Sequence, residues 1–366
     1  MGEKKNVMLA IARLTGGGAE RVVSIWANML NKRGYNVTVL IAYRSEDEYE
    51  LDKGINIITI AENERDYKSV KHFRKIGIIR RSIKLLEIDT IISFLPSMQI
   101  IMSAATFALK CKRIETIRVN PWFLKQKFTG IRFVLWNNCF KRADTIVVQT
   151  KEQADFFDSR LRAKCVVVPN PTSEKFLMNY KTIFQDTIKR FIAAGRICEQ
   201  KNYEMMIKSF AEVVKDNPEV VLDIYGTGEE SYIATIRSLI ETLGMQDHIS
   251  LKGRAEHMEK IYQEYDAFLM SSKYEGLPNA LIEAMLSKLV CVSTDCKTGP
   301  KDLIDDGING YLSPVDVQSS FEERIRKLLM MDRNSIEQMG KYAREKVTSM
   351  CAEEKSIQVL CKVIDD

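Results

Sequence analysis

Short runs of apolar residues alternate with longer amphipathic segments along almost the whole chain. The short runs have the length of strands buried on both faces, and the longer segments repeat apolar residues at the spacing of an α-helix. Strands are predicted near 7–11, 37–42, 56–60, 90–94, 115–118, 145–148, 165–168, 191–194, 220–225, 249–252, 267–270, 290–293 and 310–312. Helices are predicted between them, for example at 19–32, 70–86, 203–215, 230–243, 279–287 and 320–330. This alternation is typical of parallel sheets with right-handed crossovers, so it predicts an α/β fold.

The chain has 366 residues, a length that suits two domains better than one. The predicted joint is the segment 168–173, where Pro169 and Pro171 end a strand and oppose a helix. We therefore expect a first domain over 1–170 and a second over 171–350. The tail from about 335 to 366 has the period of an amphipathic helix, and 351–366 forms its last part.

Composition places the chain among soluble proteins, because 45% of its residues are hydrophobic and 28% are charged. It has no uncharged apolar run long enough to span a bilayer, and its N-terminus lacks a signal-peptide pattern. The eight cysteines form no Cys-x-x-Cys pair. These features predict a cytoplasmic protein without disulfides or structural zinc.

Charge is distributed unevenly along the chain. Residues 1–175 contain 30 Lys and Arg against 18 Asp and Glu, whereas 176–366 contain 24 against 31. A basic first half suits an anionic surface, either a lipid leaflet or a nucleic acid. Cations also alternate with aromatic residues around Trp122, Phe128 and Phe133, and with apolar residues over 70–86. This pattern is typical of a membrane interface, but equally of a core-facing helix with a solvated cationic face.

Three segments could hold a phosphorylated ligand. Gly16–Arg21 follows a predicted strand and opens a predicted helix, so its backbone could approach a phosphate. It could also be a plain turn between strand and helix. It lacks the glycine pattern of dinucleotide-binding loops. Arg196 and Lys201 could straddle a diphosphate or be solvated loop cations. Glu275 and Glu283 frame a loop and a helix start, where Glu283 could bind a ribose diol or only oppose the helix dipole.

Together, these residues resemble the retaining glycosyltransferases of family 4, which have the GT-B fold. The likeness covers nearly the whole chain. It rests on Gly16–Arg21, Ala194–Arg196, Lys201–Asn202, Tyr225–Gly228, Leu251–Gly253, Glu275–Asn279, Glu283–Met285 and Asn309–Leu312. The resemblance implies two Rossmann-like domains facing across a cleft, with the C-terminal helix crossing back to the first domain.

The resemblance also implies roles for individual residues. Glu275 would contact the donor sugar, while Arg196 and Lys201 would neutralise the leaving diphosphate. Donor-binding positions would be Gly16, Gly17, Arg254, Gly276, Leu277, Pro278, Asn279, Ala280, Leu281 and Glu283. No cofactor and no metal is expected, because no Asp-x-Asp lies near these motifs. Where many members of the family have a histidine, this chain has Arg118 and Asn120, which we place on the acceptor side.

The resulting hypothesis is transfer of a hexose or N-acetylhexosamine from a nucleotide-sugar, with UDP favoured, to a lipid-linked saccharide in cell-surface polysaccharide synthesis. We expect attachment to an anionic membrane at the inner face of the plasma membrane and no binding of nucleic acid. Two alternatives stay open: a GT-B-like UDP-N-acetylglucosamine epimerase and a basic nucleic-acid-binding protein. The few histidines disfavour the first, and the acidic second half disfavours the other.

Overall fold

A computed structural model describes residues 5–172 and 174–366. Residues 1–4 and Ser173, the last residue of the predicted joint, lie outside the described residues. The chain forms two compact units. The first unit runs to Pro171 and also includes Glu353–Asp366, and the second unit is Thr172–Ala352.

The first unit contains a seven-stranded sheet in which every paired strand is parallel. Its strands are β1 Asn6–Ile11, β2 Asn36–Tyr43, β3 Asn56–Ala61, β4 Thr90–Ser93, β5 Lys112–Thr116, β6 Thr145–Val148 and β7 Cys165–Val167. Their spatial order is β3-β2-β1-β4-β5-β6-β7. The helices of this unit are α1 Gly18–Lys32, α2 Glu64–Ser69, α3 His72–Leu85, α4 Pro96–Ala105, α5 Pro121–Lys127, α6 Ile131–Arg142, α7 Lys151–Ala154, α8 Ser159–Arg162 and the C-terminal α17 Glu353–Asp365.

The second unit contains a six-stranded parallel sheet of order β10-β9-β8-β11-β12-β13. Its strands are β8 Arg190–Ala194, β9 Val221–Tyr225, β10 Ile249–Gly253, β11 Ala267–Met270, β12 Val290–Thr294 and β13 Tyr311–Ser313. Its helices are α9 Glu174–Met178, α10 Tyr203–Val214, α11 Glu230–Thr242, α12 Met258–Ile261, α13 Asn279–Leu286, α14 Pro300–Leu303, α15 Gln318–Leu329 and α16 Arg333–Cys351. Short 3-10 turns lie at Glu199–Lys201 and Tyr262–Glu264.

The predicted α/β class is confirmed, since each predicted strand corresponds to a strand within the described residues. Strand β5 is predicted near 115–118 but begins and ends earlier, at Lys112–Thr116. Arg118 therefore lies beyond the strand. The tail is also two helices rather than one, because Ala352 departs from the helical conformation between α16 and α17. Each helix buries its apolar face in a different unit, which explains the break.

The C-terminal helix α17 packs on the first unit. Ile357, Leu360 and Ile364 lie in the same apolar core as Trp26 and Leu30 of α1. The segment before β1 also contacts the end of α17, because Lys5 Nζ donates to the backbone oxygen of Ile364 at 3.0 Å. Within the described residues, no helix combines the length and apolar content that crossing a bilayer requires.

Candidate active site

The central feature of the second unit is an ion pair between Lys201 and Glu275. Lys201 ends the 3-10 turn after β8, and Glu275 lies in the loop between β11 and α13. Because β8 and β11 are parallel neighbours, their carboxyl ends meet at one edge of the sheet, where open α/β sheets bind ligands. Lys201 Nζ lies 2.6 Å from Glu275 Oε1, and the side chains are only 16% and 9% exposed.

The Glu275 carboxylate is held by a second contact, since Ser272 Oγ donates to Oε1 at 2.7 Å. Thr298 Oγ1 donates to the backbone oxygen of Glu275, and Thr294 Oγ1 donates to the backbone oxygen of Ser272 at 2.6 Å. These hydroxyls fix the carboxylate before any ligand arrives. None of the three hydroxyl residues, Ser272, Thr294 and Thr298, was predicted from the sequence. Only Ser272 has a local signal, since it lies three residues before Glu275.

The Lys201 side is shaped by close backbone packing. Gly195 has φ +152°, and a Cβ there would lie 3.1 Å from Lys201 Cε. A Cβ on Gly226 would lie 1.8 Å from the Gly195 oxygen, because the loops after β8 and β9 are hydrogen-bonded to each other. Gly226 therefore positions the loop that carries Lys201. This contact explains the glycine without requiring a ligand there.

Two predicted donor-site cations do not join this pair. Arg196 is exposed and forms no ion pair within residues 5–172 and 174–366. Arg254 directly follows β10 and is also exposed. Lys201 is thus the cation that the structure places on Glu275, while Arg196 extends toward solvent from the same loop.

The predicted donor segment 276–281 covers the start of α13. Pro278 is the N-cap residue, and its side chain makes no capping hydrogen bond. The backbone amides of a first helical turn are groups that commonly bind phosphate oxygens in proteins. Leu277 and Leu281 are buried in the apolar core, so only their backbone could meet a ligand. Gly276 and Pro278 pack against Gly299, where a Cβ would come within 2.5 Å of the Gly276 oxygen.

The predicted site residues on α13 itself differ in how far their side chains are exposed. Asn279 and Ala280 are half-buried. Glu283 is 9% exposed and lies one turn into the helix. Its backbone oxygen accepts a hydrogen bond from Ser287 Oγ at 2.9 Å. Glu283 and Glu275 therefore belong to one loop-helix element, as their spacing predicts.

Neighbouring tyrosines are neutral donors. Burial raises the pKa of Tyr203 well above its usual value, and the Cys198 and Glu275 charges add to this rise. Burial also raises the pKa of Tyr274. Tyr203 OH donates to the Gly195 oxygen at 3.2 Å. The site thus contains hydroxyl donors alongside the Glu275 carboxylate and its ammonium partner, Lys201.

The glycine loop of the first unit has its own carboxylate. Gly16 has φ +77° and is exposed, and Gly17 is the N-cap of α1. Glu20 is buried against Gly17, where a Cβ would lie 2.1 Å from Glu20 Oε2. A negative charge therefore already lies in the first turn of this helix, the position where the macrodipole favours it.

Arg118 and Asn120 are both buried in the first unit, but they have different contacts. Asn120 Oδ1 accepts from the backbone amides of Trp122 at 3.0 Å and Phe123 at 3.1 Å, so it caps α5. The Arg118 guanidinium lies 4.3 Å from the Trp26 ring centroid and donates to Asn170 Oδ1 at 3.0 Å. Burial lowers the pKa of Arg118 to about 9, so it stays charged at neutral pH.

Comparison with known families gives a consistent assignment. The family described as Glycosyltransferase Family 4 matches residues 16–175, and the family described as Glycosyl transferases group 1 matches 179–346. Together these matches cover most of both units. The chain belongs to the glycosyltransferases of family-4 type, and its fold is GT-B with two Rossmann-like units.

Individual relatives support the same assignment. An uncharacterised glycosyltransferase of Methanocaldococcus jannaschii is 33% identical over 54% of this chain and 52% of its own length. An α-1,4-N-acetyl-D-galactosaminyltransferase of Campylobacter jejuni, named for an undecaprenol-linked substrate, is 25% identical over 93% of each chain. Anabaena HepE, solved with UDP and glucose, has a similar fold, with a TM-score of 0.83 over 99% of this chain and 100% of HepE at 15% identity.

Proposed function

We propose that this glycosyltransferase moves a hexose or N-acetylhexosamine from a UDP-sugar to a lipid-linked saccharide, with retention of the anomeric configuration. The observation that carries the proposal is the Lys201–Glu275 pair at the carboxyl edge of a parallel sheet. Helix α13 begins at Asn279, four residues after Glu275. We assign the buried Glu275 carboxylate to the sugar hydroxyls and the start of α13, close after it in the chain, to the phosphate oxygens.

The proposed chemistry follows from these charges. The bond between the anomeric carbon and the donor phosphate breaks, and the acceptor oxygen bonds to the same face of that carbon. The acceptor proton passes to the leaving phosphate. Lys201 and Arg196 stabilise the negative charge that develops on the diphosphate, while Glu275 accepts hydrogen bonds from the sugar. Glu283 accepts the ribose hydroxyls.

The choice of substrates rests on relatives. The name of the C. jejuni enzyme specifies an undecaprenol-diphosphate saccharide, which supports a lipid-linked acceptor. The UDP and glucose in the Anabaena structure support a UDP-sugar donor. Family membership favours transfer over the epimerase alternative.

A membrane surface is proposed on the first unit. Helices α3 and α6 and the end of α4 carry exposed apolar side chains, with Phe73, Leu85, Phe107 and Ile131 each at least 65% exposed. Exposed cations accompany them: Arg74, Arg81, Lys84, Lys110, Lys125, Lys127, Arg132 and Lys141. Apolar tips among cations suit an anionic leaflet. We infer that this face, called the α3–α6 face, binds the inner side of the plasma membrane.

The deciding assay uses purified full-length protein, EDTA, a panel of UDP-sugars and a synthetic polyprenyl-diphosphate saccharide. Formation of a longer lipid-linked saccharide with the donor's anomeric configuration, measured by NMR, is expected. A product of inverted configuration would remove the retaining mechanism. Conversion of UDP-N-acetylglucosamine without acceptor would instead favour the epimerase, and no turnover of any donor would remove the proposal.

A further inference from the structure

Arg118 is a buried cation without a carboxylate partner. It is 8% exposed and donates a hydrogen bond to Asn170 Oδ1. Its Nε and Nη2 atoms are buried and have no hydrogen-bond partner within the described part of the chain. No acidic side chain pairs with it there. Such an arrangement destabilises a fold, because each unmatched buried donor has lost its hydrogen bonds to water without replacement.

The surroundings of Arg118 supply more donors than acceptors. Its guanidinium stacks on Trp26, whose indole Nε1 is a further buried donor without a partner in residues 5–172 and 174–366. Phe94 lies 5.7 Å from the guanidinium and offers no acceptor. Asn170 Oδ1 is shared, since Gln149 Nε2 also donates to it at 2.7 Å. Stacking on Trp26 compensates only part of the desolvation of a buried cation.

Arg118 lies at the edge of the first sheet where parallel sheets commonly bind ligands. Arg118 follows β5, and Phe94 follows β4, so both lie beyond the carboxyl ends of adjacent parallel strands. The glycine loop follows β1, which pairs with β4. Ligands of open parallel sheets bind at this edge. Arg118 therefore lies two strands from the predicted phosphate loop of the same unit.

We propose that Arg118 binds an oxyanion, a phosphate group of a substrate diphosphate, through the donors that the protein leaves unmatched. A guanidinium presents its donors in a planar fork that suits phosphate oxygens. Asn170 orients the fork through Nη1, and Trp26 supports its face. That the oxyanion is part of a substrate diphosphate rests on the proposed function. Asn120 Oδ1, by contrast, accepts hydrogen bonds from the backbone amides of the first turn of α5.

The test measures binding by isothermal titration calorimetry without metal. Two titrations are made on each full-length variant: one with UDP, and one with inorganic pyrophosphate on protein saturated with UDP. Arg118→Leu is expected to weaken at least one of them about tenfold or more. Loss of pyrophosphate affinity assigns the site to the acceptor diphosphate. Loss of UDP affinity assigns it to the nucleotide. Unchanged affinity in both, or no pyrophosphate binding and unchanged UDP binding, would overturn the inference.

Arg142→Leu is the matched control. Its guanidinium is half-buried in the same unit, but it donates to the Ser103 oxygen at 2.6 Å and stacks on Phe107. Removing this satisfied arginine should lower stability and leave both affinities unchanged. Arg118→Leu should leave stability equal or higher, because it removes unmatched buried donors. If the leucine variant does not fold, Arg118→Lys keeps the charge, loses the fork and should still weaken binding.

The outcome is independent of the transfer assay. A protein that transfers sugar normally but shows the same UDP and pyrophosphate affinities after Arg118→Leu would overturn this inference alone. A protein that transfers no sugar but loses pyrophosphate affinity would retain the oxyanion site and lose the proposed function.

Discussion

Lys201 and Glu275 form an ion pair with Nζ and Oε1 2.6 Å apart, although 74 residues separate them along the chain. Both side chains are largely buried, and Ser272 shares the same carboxylate oxygen. The pair therefore fixes the orientation of a carboxylate and an ammonium group relative to each other. This relationship gives the first prediction.

Glu275→Gln and Lys201→Met should each lower transfer by about 100-fold to 1000-fold, because each removes a charged contact that we assign to the donor. The Gln variant keeps the size of the side chain, so its unfolding transition should stay cooperative. Steady-state rates at saturating donor give the measurement. Transfer at the wild-type rate by Glu275→Gln would contradict the assigned role.

Lys181 and Asp266 provide a comparison pair in the same unit. Their Nζ–Oδ1 distance is also 2.6 Å, and the side chains are 7% and 8% exposed. Asp266 Oδ2 accepts from the backbone amides of Lys189 and Arg190 as well. Asp266→Ala should lower the free energy of unfolding by about 3–5 kcal/mol, because it leaves Lys181 unpaired. Denaturant titration measures this loss, and the rate per folded molecule should not change.

Gly226→Ala should disturb the loop that carries Lys201. The new Cβ would lie 1.8 Å from the Gly195 oxygen at a backbone φ of +151°. We expect a loss of about 3 kcal/mol in stability and weaker UDP binding. Gly244→Ala is the control, since Gly244 also has a positive φ but nothing lies within 4 Å. It should cost about 1 kcal/mol and leave UDP affinity unchanged.

The α3–α6 face should control membrane binding. Ile131 and Val134 on α6 are 68% and 50% exposed, so Ile131→Glu and Val134→Glu should not affect folding. Each should weaken binding to anionic liposomes about tenfold, because it removes apolar area and adds a repelled charge. Sedimentation with vesicles measures this effect. Met330→Glu, at an 84% exposed position in the second unit, should bind as the wild type does. Equal binding by all variants would contradict the proposed surface.

Glu115 should make stability depend on pH. It lies on β5 and is 2% exposed, and burial raises its pKa well above the usual value. The folded state therefore holds a proton that the unfolded chain releases near its ordinary pKa of about 4.3. This contribution is complete below that pH and is lost as pH rises toward the folded pKa. Glu115→Gln should remove this decline, measured by denaturation from pH 4 upward. An unchanged slope would contradict it.

The sequence by itself determined the strands, their parallel pairing and the identity of the loop residues. Buried parallel strands consist of continuous apolar runs, and β8 and β11 are such runs, so local pattern was sufficient. Glu275 and Glu283 could also be assigned to one loop-helix element because only eight residues separate them. Even the cap at Asn120 has a local signal, because Pro121 follows it at the first helical position.

Tertiary structure alone decided which side chains meet. Lys201 contacts Glu275 because β8 and β11 are neighbours in the sheet, and strand order is set by packing rather than by local sequence. In the same way, Arg118 is stacked on Trp26 and linked to Asn170 only because α1, β5 and β7 converge. The tail divides at Ala352 for a related reason: α16 and α17 bury their apolar faces in different cores. Local periodicity indicates that a face is apolar, but the fold determines what covers it.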